Sequence, residues 1–428
     1  MKQLLREIIK EWWERELPVV IPREINLQKY VLKKIKKVIS IVGFRRAGKT
    51  YLLFDFIQRE GKNNCIYVNF EDERIPEDPK ILTYLTSVIE EIAPGKFILV
   101  LDEIQNIPLW SKWVRRMLDT NKYLIFISGS SSKLSSREIS TELRGRTLTI
   151  ELFPLSFNEF LQFKNKSIKM TPESKILSLI REYLEFGGFP EVVLVEKGKK
   201  YLLIDEYYQT FLMRDIFERY NIRQKQVLKE IIRLLLNSTY FTIGKITNIL
   251  KSAGFKIGKA TVANYIHYLR EALFLYPVEI FSYKIKSQIQ HPKKIYFADN
   301  FFISRYSTIF SHNSGRLMEN CVAIELFRRK FRDPLMEIFY WKDYREREVD
   351  FVVKNKTDIE LIQVTYASSF QDIKEREIKA IIKAGEELKN SRLYIITWDY
   401  EDKREIANRK VKFIPLWKWL LMDEVKWG

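Results

Sequence analysis

The sequence predicts an α/β protein whose core is a parallel β-sheet covered by helices. Between residues 38 and 152, short β-branched and aliphatic runs alternate with longer stretches of helical periodicity, as expected of a parallel sheet covered by helices. The chain has 428 residues, 46% of them hydrophobic, which is long and apolar enough for several buried cores. We place the strands of this sheet at residues 38–42, 65–70, 97–101, 123–128 and 148–152.

The remaining segments are predicted from changes of pattern along the chain. Residues 1–32 form an amphipathic helical extension, whose frequent charges exclude a signal peptide or a membrane span. Residues 153–220 are mainly helical, residues 221–300 combine short helices with β-rich segments, and residues 301–428 return to a mixed α/β pattern.

Charge and cysteine content narrow the class of partner. The chain carries 73 Lys and Arg against 55 Asp and Glu, a net charge of +18, which favours an anionic partner such as nucleic acid. Cys65 and Cys321 are its two cysteines, and neither lies in a metal-ligand spacing, so a disulfide framework or zinc site is not predicted. We expect a cytoplasmic protein without membrane association.

The strongest motif lies between the first strand and the first helix of the sheet. Residues 43–50 read Gly-Phe-Arg-Arg-Ala-Gly-Lys-Thr and fit the phosphate-binding pattern GxxxxGK[ST] in its strand-to-helix context. Backbone N–H groups would face the phosphates, Lys49 would add positive charge, and Thr50 would offer a hydroxyl to Mg²⁺. The alternative is a Gly-containing turn with a solvated lysine. We predict ATP and Mg²⁺ as cofactors, bound by Gly43, Phe44, Arg45, Arg46, Ala47, Gly48, Lys49, Thr50 and Tyr51.

Two carboxylates follow the third strand, at the edge where open α/β sheets bind ligands. We expect Asp102 to hold Mg²⁺ and Glu103 to polarise the attacking water as a general base. Alternatively, the pair caps the following helix.

Three further residues are candidates for contact with the γ-phosphate. Ser130 follows the fourth strand, although Ser and Gly clusters also form turns and caps. Arg144 or Arg146 could neutralise transition-state charge in cis or across the interface of a homo-oligomer. The alternative is that these arginines pair with surface carboxylates.

The segment 222–298 is strongly basic, with thirteen Lys or Arg against three acids. Its helix–turn–helix pattern, followed by β-rich segments around a Lys-rich turn, predicts a winged helix that binds duplex DNA. The alternative is a packing module with a solvated basic face. The predicted DNA contacts are Lys259, Thr261, Asn264 and Arg270 on the second helix and Lys284, Lys286, Lys293 and Lys294 in the wing.

Several motifs in this order resemble the archaeal and bacterial AAA-type ATPases that carry a C-terminal DUF4143 region. The resemblance implies a P-loop AAA-like core at 33–152, a helical lid at 153–220, a winged helix at 221–300 and a restriction-endonuclease-like α/β domain at 301–428. The motifs are GFRRAGKT, VLDEIQNIPLW, ISGSSSKL, ELRGRT, ELFPLSFNEF and EFGGFPEVV.

The terminal segment resembles the PD-(D/E)xK nuclease core, in which acids bind a divalent metal and a lysine activates water. Glu319 and Asp350 fit the acidic positions, but Gln363 and Thr365 stand where a second acid and the lysine are expected. Because Thr carries no charge and Gln weakens metal binding, we predict a catalytically inactive, nuclease-like domain.

Two alternatives apply to this terminal site. Glu360 and Lys374 could take the missing roles, or Glu319 and Asp350 could form buried ion pairs with nearby arginines. The arginines considered are Arg345 and Arg347.

The function that these patterns predict is that of an ATP-binding and ATP-hydrolysing switch that engages DNA. Two alternatives are an ATP-regulated, metal-dependent nuclease and a nucleotide-stabilised DNA-binding scaffold with negligible turnover.

Overall fold

The computed structural model describes residues 1–32, 35–93, 97–130, 139, 141–308, 314–356 and 358–422, without the side chains of Ser130 and Lys169. The chain divides into two compact units. The first contains Met1–Phe153 and Tyr207–Asn221, and the second contains Pro154–Glu206 and Ile222–Gly428. The predicted boundaries at residues 32, 220 and 300 stay predictions.

The first unit is built on a five-stranded parallel sheet, which confirms the predicted fold class. Its strands lie in the order β2-β3-β4-β1-β5. They are β1 (Val38–Gly43), β2 (Cys65–Asn69), β3 (Phe97–Asp102), β4 (Tyr123–Ser130) and β5 (Thr147–Leu152). The helices of this part are α1 (Lys2–Glu14), α2 (Lys49–Glu60), α3 (Lys80–Ile92) and α4 (Trp110–Asp119).

The core of the first unit follows from the apolar content of its strands and helices. Every residue of β1 is buried, as expected for a parallel strand covered on both faces. The amphipathic α1 buries Leu5, Ile8, Ile9 and Trp12, and the first three join the cluster that includes Val38 and Val42 of β1.

The second unit combines helices with a nine-stranded sheet. Its strand order is β13-β14-β12-β11-β10-β9-β7-β8-β6. The strands are β6 (Tyr240–Phe241), β7 (Leu275–Ile280), β8 (Lys293–Phe297), β9 (Met336–Lys342), β10 (Glu348–Asn355), β11 (Asp358–Val364), β12 (Ser391–Thr397), β13 (Asp402–Ile406) and β14 (Arg409–Pro415).

The helical segments from residue 154 onward begin with the predicted lid. They are α5 (Phe157–Phe163), α6 (Glu173–Phe186), α7 (Pro190–Leu194) and α8 (Lys197–Thr210), followed by a π-helix (Phe211–Glu218). Further along the chain are α9 (Lys225–Leu236), α10 (Ile243–Ser252), α11 (Lys259–Glu271), α12 (Ile285–Gln290), α13 (Asn300–Tyr306), α14 (Ser314–Arg332), α15 (Glu375–Glu387) and α16 (Leu416–Leu420).

One sheet joins the basic segment to the C-terminal strands. β7 pairs with β8 in antiparallel orientation and with β9 in parallel orientation. Helix α12 lies between β7 and β8, where the sequence predicted a Lys-rich turn. The strands on the two sides of residue 300 therefore belong to a single hydrogen-bonded sheet.

A buried aspartate ties the segment after α6 to the start of α13. Asp299 accepts hydrogen bonds from the backbone N–H groups of Gly188 (2.8 Å) and Phe301 (3.0 Å). Gly187 has φ +75°, and a Cβ there would lie 1.5 Å from Asp299 Oδ1, so this position requires glycine. Burial raises the pKa of the Asp299 carboxyl to about 7.

No helix within the described residues is both long enough and apolar enough to cross a membrane. Cys65 and Cys321 are both buried free thiols.

Candidate functional site

The loop between β1 and α2 has the geometry that a phosphate-binding loop requires. Gly43 is packed so closely that a Cβ would lie 2.4 Å from the carbonyl oxygen of Leu152. Gly48 has φ 96°, a left-handed conformation that glycine adopts without strain, and α2 begins at the next residue. The helix N-terminus and the loop therefore meet as the sequence predicted.

Lys49 lies inside this loop and is buried. Its Nζ donates hydrogen bonds to the carbonyl oxygens of Gly43 (3.1 Å) and Phe44 (3.3 Å). Burial lowers the pKa of Lys49, and the attraction of Glu103 and Asp102 offsets only part of this effect. A bound anion would restore the favourable environment of the ammonium group.

The carboxylate of Asp102, at the end of β3, is held by hydroxyl groups from three elements. Thr50 Oγ1 (2.9 Å) and Tyr67 OH (2.8 Å) donate to its Oδ2, and Ser128 Oγ donates to its Oδ1. Asp102 is 3% exposed, so these bonds replace water around a buried charge. The arrangement fixes Asp102 beside Thr50, as the Mg²⁺ prediction requires.

The oxygen atoms of Thr50 and Asp102 fit a magnesium ion. Mg²⁺ takes one or two protein oxygens and completes its shell with water and phosphate oxygens. No group of three or more His, Cys, Asp and Glu side chains within the described ranges is arranged to hold a metal by itself. This pair therefore suits a metal that arrives with the nucleotide.

Glu103 is held in a left-handed backbone conformation with φ 54°. Its N–H donates to the carbonyl oxygen of Ser128 (2.9 Å), and Gln105 Nε2 donates to its Oε2. This conformation is uncommon for a non-glycine residue, and it sets the Glu103 side chain directly after Asp102 at the end of β3.

The segment Tyr207–Asn221 contacts three consecutive residues of the loop. Arg46 lies over the ring of Tyr207 (5.7 Å), and the rings of Phe44 and Phe211 stack at 5.0 Å. Between these loop residues, Arg45 pairs with Asp215. Arg45 Nη2 and Nε lie 3.2 and 3.3 Å from Asp215 Oδ1.

Two other residues support the site, although no sequence motif predicted them. Arg23 donates to the carbonyl oxygens of Ala47 and Phe153, both at 2.9 Å, and so ties the loop to the end of β5. Tyr67 is a tyrosine in an otherwise largely aliphatic buried strand, which is the signal that could have identified it. Arg23 has no comparable signal, because backbone acceptors such as Ala47 and Phe153 leave no pattern in the sequence.

The γ-phosphate candidates have different outcomes. The side chain of Ser130 lies outside the described residues, and the hydroxyl that reaches Asp102 is that of Ser128, which is paired with Asp102 in the β3–β4 register. Tyr51, the last residue assigned to nucleotide binding, is 51% exposed.

Arg144 and Arg146 lie far from the phosphate loop of the same chain. Val38 N donates to the carbonyl oxygen of Arg146, so these arginines lie at the amino end of β1. The phosphate loop follows the carboxyl end, roughly 17 Å away along the strand. Arg144 is exposed and Arg146 pairs with Asp119. A role across a subunit interface stays a prediction.

Most predicted DNA contacts lie at the surface of the second unit. Lys259, Asn264 and Arg270 of α11 are exposed, and Thr261 is half-buried. Lys284 and Lys286 are exposed at the start of α12. Lys293 is half-buried and pairs with Glu279.

The prediction that Lys294 contacts DNA is wrong, because its side chain is 1% exposed. Successive residues of a strand point to opposite faces, and the face of β8 that carries Lys294 is buried. Lys294 Nζ lies 2.9 Å from Glu319 Oε1, 2.7 Å from Glu348 Oε1 and 2.7 Å from Asp350 Oδ1. We call these four residues the Lys294 cluster.

The Lys294 cluster occupies the predicted nuclease-like site. Asp350 Oδ2 also accepts from Gln363 Nε2 (2.8 Å) and from the N–H of Val364 (2.9 Å). Burial and the neighbouring Glu319 raise the pKa of Asp350 to about 7, while Lys294 opposes the shift. Attraction to Asp350, Glu319 and Glu348 raises the pKa of Lys294 despite its burial. The lysine is therefore a charged partner of the acids.

The two alternatives considered for this site are corrected by the same contacts. Glu319 and Asp350 do form buried ion pairs, but with Lys294, whereas Arg347 pairs with Asp343. Glu360 pairs with Arg392, and Lys374 is exposed.

A cavity of about 450 Å³ lies beside the Lys294 cluster. Gln363 and Asp350 line it together with Arg376 and Glu377. Thr365, at the expected lysine position, is buried and hydrogen-bonds Glu377 instead.

Comparison with known proteins agrees with this geometry. A family model described as an AAA domain matches residues 35–161. Models described as domains of unknown function, DUF8612 and DUF4143, match residues 177–313 and 314–419. The fold and the loop thus define an AAA-type, P-loop ATPase-like protein.

Relatives extend over nearly the whole chain. "Uncharacterized protein MJ1544" of Methanocaldococcus jannaschii is 39% identical over 416 residues, which cover 94% of this chain and 91% of that protein. An uncharacterized protein of Haemophilus influenzae is 28% identical over 409 residues, 93% of this chain and 98% of that protein. The chain therefore belongs to the family of AAA-domain proteins with a C-terminal DUF4143 region.

Among solved structures, the Walker-type ATPase paby2304 of Pyrococcus abyssi is similar, with a TM-score of 0.43 and 13% identity. The match covers 71% of this chain and 95% of that one.

Replacing Lys294 by methionine should destabilise the second unit, because three carboxylates lose their shared cation. We expect a loss of about 3–5 kcal/mol at pH 8. A carboxyl whose pKa is raised by folding loses stability as pH rises through the folded pKa. Since Lys294→Met raises the pKa of Asp350 further above about 7, the loss should be smaller at pH 5.5. Denaturant unfolding at both pH values measures it.

The matched control is Lys293→Met, which removes the neighbouring, partly exposed lysine. It should change the unfolding free energy by less than about 1 kcal/mol at either pH. Equal losses for the two variants would contradict the assigned role of Lys294.

Proposed function

We propose that the protein is a Mg²⁺-dependent ATPase whose site is formed by the loop 43–50 and the end of β3. This proposal rests on the hydrogen bonds that Thr50, Tyr67 and Ser128 donate to the buried carboxylate of Asp102. The ammonium group of Lys49 is buried at the same edge of the sheet. A buried carboxylate and a buried ammonium group at the same edge of a parallel sheet suit a metal–triphosphate complex.

Each residue then has a distinct role in hydrolysis. The loop amides and Lys49 bind the phosphate oxygens, and Thr50 and Asp102 hold the metal, directly or through water. Bound Mg²⁺ supplies positive charge that stabilises the charge developing on the phosphates. Glu103, oriented by Gln105 and its strained backbone, polarises the attacking water.

Two substitutions separate binding from chemistry. Lys49→Ala should abolish measurable ATP binding and hydrolysis, because the phosphates lose their buried cation. Glu103→Gln should retain nucleotide affinity but reduce turnover at least about 100-fold, because the amide cannot accept the proton of water. Calorimetric titration with ATP and Mg²⁺, together with phosphate release, measures both.

Lys80→Ala serves as the control, since Lys80 is exposed at the start of α3. Its affinity and turnover should match those of the wild type. A wild-type protein that neither binds nor hydrolyses ATP would remove the proposal, and tight binding without turnover would favour the scaffold alternative.

We also propose that α9, α10, α11 and strands β6 to β8 form a winged helix that binds duplex DNA. The exposed Lys259, Asn264 and Arg270 on α11 and the exposed Lys284 and Lys286 at α12 support this proposal. Such a surface attracts the phosphate backbone without specifying a sequence. The nucleotide state of the first unit would then control the DNA affinity of the second.

Binding through backbone charge predicts a steep dependence on salt. For the wild type, the logarithm of the DNA association constant should fall linearly with the logarithm of salt concentration. The double variant Lys284→Ala/Lys286→Ala should reduce this slope by about 1.8, since each lost phosphate contact contributes about 0.9. Fluorescence anisotropy with duplex DNA at several salt concentrations measures the slope.

The control variant Lys379→Ala/Lys383→Ala removes the same charge from α15, where both lysines pair with glutamates. Its slope should equal that of the wild type. Salt-independent affinity, or equal slopes for both double variants, would contradict binding at α12.

The C-terminal site is proposed to be nuclease-like but inactive. Lys294 already neutralises the acids that would otherwise collect around a divalent metal, which supports this view. Incubation of supercoiled and linear DNA with Mg²⁺ or Mn²⁺ should therefore yield no cleavage by the wild type or by Asp350→Ala. Cleavage by the wild type that Asp350→Ala abolishes would instead establish the nuclease alternative.

A further inference from the structure

The pair formed by Arg45 and Asp215 has an unusual setting. Asp215 has a side-chain exposure of 1%, whereas Arg45 is 21% exposed and belongs to the phosphate-binding loop itself. Burial lowers the pKa of Arg45, but the attraction and hydrogen bonds of Asp215, together with the attraction of Glu103 and Glu71, raise it overall. The carboxylate thus depends on one guanidinium group for much of its neutralisation.

Both members of the pair face the charges of the nucleotide site. Asp215 acts electrostatically on Lys49, and Glu103 acts on Arg45. A carboxylate and a phosphate offer similar pairs of oxygen atoms to a guanidinium group. The Asp215 carboxylate would therefore compete with a bound triphosphate for the positive charges of Arg45 and Lys49.

The position of Asp215 along the chain gives this competition a consequence. Tyr207, Phe211 and Asp215 are spaced four residues apart and contact Arg46, Phe44 and Arg45, respectively. Residues 211–218 form a π-helix, a conformation frequent at functional sites. The chain belongs to the second unit on both sides of Tyr207–Asn221.

We propose that Asp215 is a positioning residue that withholds Arg45 from nucleotide, and that triphosphate binding transfers the guanidinium group from Asp215 to a phosphate oxygen. The released carboxylate then faces a like charge, which weakens the contact of Tyr207–Asn221 with the loop. This inference rests on the proposed ATP site. It assigns the segment as the part of the first unit that responds to nucleotide.

Affinity for nucleotide tests the competition directly. Asp215→Asn keeps the shape of the side chain but removes its charge, so Arg45 becomes available to phosphate without breaking an ion pair with residue 215; its longer contact with Glu71 (3.9 Å) remains. We expect this variant to bind a non-hydrolysable ATP analogue with Mg²⁺ about 10-fold more tightly than the wild type, which equals about 1.4 kcal/mol. A merely structural role of Asp215 predicts unchanged or weaker binding.

The matched control is Asp55→Asn, which removes an aspartate that pairs with Arg59 within α2 of the same unit. Its affinity should equal that of the wild type. Equal or weaker binding by a folded Asp215→Asn variant would overturn the inference.

Amide hydrogen exchange of the wild type gives a second measurement that needs no variant. Adding the ATP analogue should accelerate exchange in residues 207–221 while it protects residues 43–50. Protection of the loop with unchanged or slower exchange in 207–221 would overturn the inference and leave the ATP site standing. If the wild type does not bind the analogue and exchange changes in neither segment, both the proposed ATP site and the inference about Asp215 are wrong.

Discussion

The carboxylate of Asp102 is the constraint on which the nucleotide site depends. Thr50, Tyr67 and Ser128 donate to it from α2, β2 and β4, so these elements must keep a fixed register around β3. The parallel sheet provides this register, because its strands all end at one edge. The hydrogen bonds from three hydroxyl groups offset the cost of burying the Asp102 charge. They also hold this carboxylate beside Thr50, at the start of α2.

The sequence predicted the parts of this site whose chemistry is local. The five strands were confirmed, and the loop 43–50 and the acids Asp102 and Glu103 lie where the sequence placed them, because each depends on residues close together in the chain. The role of Tyr67 can be predicted only when the strand order is known, because its hydroxyl reaches Asp102 from β2, the neighbour of β3. Because β5 runs parallel to β1, Arg144 and Arg146 precede the amino end of this strand pair, whereas the phosphate loop follows the carboxyl end.

Contacts between distant residues were beyond sequence reasoning. Arg45 and Asp215 are 170 residues apart, and Lys294 lies 56 residues before Asp350. Whether Lys293 or Lys294 faces inward depends on the phase of β8, and a shift by one residue would exchange their environments. Counting basic residues therefore assigned Lys294 to a DNA-binding surface, although it is a buried counter-ion of three acids.

The shared nine-stranded sheet limits how this protein can be divided. The segments that match DUF8612 and DUF4143 meet between residues 313 and 314, so the boundary separates Lys294 from Glu319, Glu348 and Asp350. It also separates β7 from its parallel neighbour β9. Expressed alone, either piece would expose an unpaired strand edge, and the C-terminal piece would carry its acids uncompensated. Apart from residues 207–221, which belong to the first unit, the two matched segments thus lie in one compact unit.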